Sequence, residues 1–72
     1  MDDRDRVAID ELFRKLAEVE RRSGPRDAEA EEHIRALIGR QPSAPYYMAQ
    51  TIVVQEQAMN EAQQRIEELE RE

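Results

Sequence analysis

Apolar residues fall at helical spacing along this chain, and no segment alternates apolar and polar in the manner of a strand. Gly24 with Pro25, and Gly39 with Pro42 and Pro45, cut the chain into three pieces. In the first, about 3–22, Ile9, Leu12, Phe13 and Leu16 follow the i, i+3, i+4, i+7 rule and share one face, with Val19 a further turn on. Asp2 can cap its free N–H groups, and Arg21 and Arg22 suit the negative end of its dipole. The second piece, about 27–38, has Asp27 as N-cap, a stripe of Ala30, Ile34, Leu37 and Ile38, and Gly39 as its expected stop. At about three turns it cannot stand alone in water and must dock. The third piece, about 44–71, has Ser43 as expected N-cap and Pro45 in the first turn. No breaker follows, so this helix is roughly 40 Å long, against roughly 30 Å for the first and under ~20 Å for the second.

The expected fold is therefore all-α, a single domain over residues 1–72. Two shorter helices fold on the first half of a long C-terminal helix that continues as a coiled coil. The core expected from the stripes is Ile9, Leu12, Phe13, Leu16, Ile34, Leu37, Ile38, Val53 and Val54.

The third helix carries a second pattern. Met48, Ile52, Gln55, Met59, Ala62, Ile66 and Leu69 are spaced alternately four and three apart. That is a heptad seam with Ile52, Met59 and Ile66 at a and the others at d. One amphipathic helix of an ordinary bundle is the plainer reading, because periods of 3.5 and 3.6 barely diverge over this length. Tyr47, Val53 and Val54 lie off the seam and form another apolar face, confined to the first half of the helix. A helix contacted on two sides has little room for charge, since an unpaired buried charge is costly. This accounts for the absence of any charge between Arg40 and Glu56 in a chain that is 39% charged. Gln55 at d would pair with its own copy and fix register. Arg65 at g and Glu70 at the next e favour a parallel pair, by tenths of a kcal/mol at most.

Composition narrows the possibilities. Seventy-two residues bury only about 60% of their unfolded surface, so a monomer is marginal. The chain has no cysteine and one histidine. Disulfides and thiolate metal sites are excluded, and a zinc site is not expected, which leaves oligomerisation as the remedy. The net charge of −6 is the wrong sign for a nucleic-acid or anionic-membrane partner. The start lacks the pattern of a secretory signal, and no apolar run could span a bilayer, so the cytoplasm is the expected compartment. His33 and the pairs Glu31-Glu32 and Glu67-Glu68 have no convergent partners and read as a boundary histidine and solvated faces. No catalytic, cofactor or metal residue is assigned. Tyr46 and Tyr47 are either an anchor at the head of the third helix or an exposed handle for another protein.

Three segments, "IDELFRKLAEVE", "PRDAEAEEHIRALI" and "QPSAPYYMAQTIVVQEQAMNEAQQRIEELE", together resemble a known sequence. It is the N-terminal region of a proteobacterial family of unknown function whose members are often labelled periplasmic ligand-binding sensor proteins. The resemblance covers nearly the whole chain and is most specific from Ala44 to Ala58. Asp2-Asp3 stands where that family usually has a Thr-Pro helix start, one capping solution exchanged for another. The resemblance implies that the chain is the ordered N-terminal part of a longer protein, followed by a long Ala, Gly and Pro-rich segment and a Gly-rich tail. It brings no catalytic residues. Three functions follow as expectations: a self-associating scaffold module (a homodimer, or a tetramer as the alternative), an adaptor for a different protein, or a small-ligand sensor.

Overall fold

The computed structural model describes residues 1–71. They form three helices in chain order, α1 (Asp3–Arg22), α2 (Ala28–Arg40) and α3 (Ala44–Arg71), with no strand among the described residues. The all-α class and the long C-terminal helix are as the pattern predicts.

Local chemistry sets most of the helix limits. Asp2 is extended, and its carboxylate accepts from the Asp5 N–H at 2.9 Å. Asp27 does the same for Ala30 at 3.1 Å. Each satisfies a donor that the first turn leaves without a helical partner. At the start of α3, Ser43 contributes its backbone carbonyl, which accepts from the Tyr46 and Tyr47 N–H groups at 3.1 and 3.4 Å. The turn before it is closed by the Ala44 N–H donating to the Gln41 carbonyl at 2.9 Å.

Neither glycine is the left-handed stop that the sequence suggests. No glycine among the described residues has a positive φ. α1 ends because Ser23 turns extended, its N–H still bonded to the Val19 carbonyl at 2.9 Å. α2 runs through Gly39 to Arg40, and the Gln41 N–H bridges the Leu37 and Ile38 carbonyls at 3.0 Å each. Pro42 then closes off further helix, because the residue before a proline is disfavoured in helical geometry.

α1 lies against the first half of α3. Lys15 pairs with Glu56 at 3.2 Å. Met1 and Asp5, at the other end of α1, share a groove with Pro45 and Tyr46. The two helices therefore run in the same direction, with α2 as the return between them. The connections are held by charge and backbone bonds. Arg26 pairs with Glu31 and reaches Glu20 at 4.0 Å, tying the α1–α2 turn to both of its helices.

Burial is thinner than the sequence predicts. Leu12 is the sole buried side chain among the described residues, 3% exposed. Ile9, Ile38 and Val53 are half-buried. Phe13, Leu16, Ile34, Leu37 and Val54, all expected in the core, are exposed, Phe13 by 58%. Two helices meeting along a line enclose only a narrow strip between them. Phe13 and Val54 fall on its flank, and α2 adds no comparable contact to cover them. The radius of gyration is 16.2 Å, against roughly 11 Å for a compact domain of this length. As a single chain the molecule is an open arrangement of amphipathic helices.

Candidate functional site

α3 presents three directions. The first faces α1. Ala49, Ile52, Val53 and Glu56, at i, i+3, i+4 and i+7, are its partly covered residues beyond the first turn, and they meet the Ala8, Ile9 and Leu12 side of α1. Glu56 ends the uncharged stretch because Lys15 is there to meet it.

The second direction is the heptad seam. Ile52 belongs to both sets: it is half-buried within the chain, so its assignment to an interface between chains covers only part of its surface. The other seam residues are open. Met48 is 49% exposed, Met59 72%, Ile66 49% and Leu69 64%; Gln55 and Ala62 are exposed as well. From Gln57 to Arg71 every residue is exposed, because α1 lies against the half of α3 before it. The apolar stripe continues into that stretch with nothing from its own chain upon it.

The third direction was not legible as a site. Ile9, Phe13 and Asp5 of α1 face Tyr46, Gln50, Val53, Val54 and Gln57 of α3 across a shallow groove. Asp5 is the one charged side chain lining it. The signal that could have revealed it is a third line on α3, Tyr46, Gln50, Val53 or Val54, and Gln57, at helical spacing within the uncharged stretch. The sequence reading placed Val53 and Val54 inside instead. At 3.6 residues per turn, this line and the seam lie on roughly opposite sides of α3.

Tyr46 and Tyr47 sit at the head of the helix, 60% and 57% exposed, with ring centroids 5.1 Å apart and nearly perpendicular. The Gln50 amide donates to the Tyr46 hydroxyl at 2.9 Å. An edge-to-face pair held in this way is a rigid amphipathic surface, the kind enriched at protein contacts. His33 is exposed on α2. The charges on α1 form local ladders. Arg14 bonds Glu11 through Nε and Nη2, and this hydrogen bond, then the guanidinium charge, hold the Glu11 carboxyl below its ordinary value. Arg14 is correspondingly held above its own. No helix among the described residues is long and apolar enough to cross a membrane.

These features define a small all-α protein whose apolar surface lies mostly outside its own fold. The chain belongs to a bacterial family, DUF2076, described as an uncharacterized protein conserved in bacteria, which it matches over residues 1–72. It is similar to an uncharacterized protein of Buchnera aphidicola from Acyrthosiphon pisum, with 42% identity over 69 residues, 96% of this chain and 29% of the relative. A second Buchnera protein, from Schizaphis graminum, is 39% identical over 96% of this chain and 30% of its own length. A third, from Baizongia pistaciae, is 39% identical over 99% of this chain and 25% of its own length. The chain thus spans less than a third of the curated relatives it matches. No solved structure matches it.

Proposed function

We propose that this chain is a non-enzymatic self-association module that multimerises through α3, as a parallel homodimer along the seam. The observation that carries the reading is the apolar stripe of Met59, Ile66 and Leu69 on a stretch where every residue from Gln57 to Arg71 is exposed. A helix of this length has no reason to keep an apolar line on a solvated surface unless a second chain covers it. Ala58 and Ala62 are small enough for close approach, and Gln55 would fix register by pairing with its copy. The thin interior supports the same reading, since a domain of this size with one buried side chain needs stabilisation from outside itself. In this reading the module works in the cytoplasm as the assembly region of a longer scaffold; cell fractionation checks the compartment.

The direct test is Ile66→Asp with Leu69→Asp. Both residues lie past the contact with α1, so the local fold should persist while the pairing along the seam is lost and the mass in solution falls. A double variant that retains the parent's mass in solution contradicts the seam.

A second reading, an adaptor for a different protein, is favoured by the exposed Tyr46–Tyr47 pair. A sensor role, as the family label implies, would place a small ligand in the groove between α1 and α3. That groove runs along α3 from Pro45 to Gln57, about 20 Å, an extended shape that suits a helix better than a small molecule. Tyr46→Ala with Tyr47→Ala should leave the pairing along the seam intact under the scaffold reading and abolish capture of a partner under the adaptor reading.

A further inference from the structure

Beyond the seam, we infer that the groove between α1 and α3 is a helix-docking site and that its occupant is α2 of another copy of this chain. The inference does not use the seam, because a copy bound there lies on roughly the opposite side of α3. Four observations lead to it.

The groove and α2 match in length. On α3 the lining runs from Pro45 to Gln57, about 20 Å of helix, and α2, Ala28–Arg40, is also about 20 Å long. They match in chemistry. The groove offers Phe13 and Val54, 58% and 63% exposed, and α2 offers Ile34 and Leu37, 51% and 47% exposed. Neither surface has a partner in its own chain that covers it. They match in charge. Asp5 is the one charged side chain lining the groove, near the end where α1 and α3 begin, and Arg40 is the basic residue of the last turn of α2. An α2 laid antiparallel to α1 and α3 brings Arg40 to Asp5. It also opposes its dipole to both of theirs.

The own-chain α2 is held elsewhere. Arg26, paired with Glu31 and within 4.0 Å of Glu20, ties the start of α2 to the end of α1. No α2 residue lines the groove. The stripe of Ile34 and Leu37 is therefore presented outward, as the docking helix of a helix-in-groove contact. Because donor and acceptor surfaces differ, the contact is heterologous. Together with the seam it builds an assembly larger than a dimer.

The chain has no cysteine, so engineered thiols report contacts without background. The full chain carrying Leu37→Cys is mixed with the chain carrying Val54→Cys and oxidised. Both sites are exposed, so folding is not at stake. The mixed disulfide, one chain of each kind, should exceed its random-collision share over the two like pairs. Arg40→Glu in the first chain should lower that yield several-fold, and Asp5→Arg in the second should restore it, since paired charge reversal repairs a specific contact. A mixed disulfide at the random share overturns the inference. So does an intramolecular disulfide in a single chain carrying both cysteines, which would put α2 in its own groove. Repeating the mixture with Ile66→Asp and Leu69→Asp separates the two surfaces: the mixed disulfide should survive loss of the seam, and its loss there alone would show that the groove contact has no standing of its own.

Discussion

Leu12 is the side chain on which the isolated chain most depends. It is the buried residue where α1 meets α3. Leu12→Ala should cost about 2–5 kcal/mol, a large share of a small domain's stability, and thermal melting would show it as a large drop. Phe13, its neighbour, lies on the flank. In dilute solution Phe13→Ala should cost well under the ~3–5 kcal/mol of a buried phenylalanine, and its main effect should appear in assembly. Equal losses for the two variants would mean that Phe13 is inside after all. The charge ladder of α1 gives a pH signature. Arg14 holds the Glu11 carboxyl below its ordinary value through a hydrogen bond and its charge. A depressed carboxyl contributes stability that is fully present above its ordinary value and lost as pH falls through the lowered one. The natural chain should therefore lose α1 helicity as acidification passes through the lowered carboxyl range, and Glu11→Gln should flatten that part of the titration. The effect is small because the pair is exposed.

At the scale of the elements, the N-caps of α1 and α2 and the helix limits at Arg22 and Arg71 were legible in the sequence, whereas at Ser43 it is the backbone carbonyl that accepts from the first turn of α3. Asp2 and Asp27 are short acids just before helical stripes, and each accepts the hydrogen bond expected of a cap. Asp27→Ala should cost about 1 kcal/mol and show first in α2, which is short and lightly supported. The role of Gly39 was not legible. Glycine just past a stripe and before a proline ordinarily marks a left-handed stop, yet here the residue is helical with negative φ. A Cβ placed on it meets nothing within 4 Å. The two readings predict opposite signs. Gly39→Ala should stabilise by roughly 0.4–1 kcal/mol by restricting the unfolded chain; a left-handed glycine would make it destabilising. The melting temperature decides, and a fall would return Gly39 to the capping position.

At the scale of the whole molecule, periodicity identified which faces are apolar but not which face meets which. Helical spacing assigns a residue to a stripe; it does not say whether the stripe is covered from within the chain or by another. Hence Val54, Ile34 and Leu37 were expected inside, and the groove between α1 and α3 was missed. The exposed run beyond Gln57 was legible from two signs together: α3 has 28 residues against 20 in α1, and the off-seam apolar face of Tyr47, Val53 and Val54 is confined to the first half of α3. The central claim is that such a chain completes itself with copies of itself. Light scattering on the natural chain over a range of concentrations tests it most directly. The mass should rise with concentration from 8.5 kDa to at least twice that value, with a melting temperature that rises in step. A mass of 8.5 kDa at every concentration, with a melting temperature independent of concentration, would contradict it.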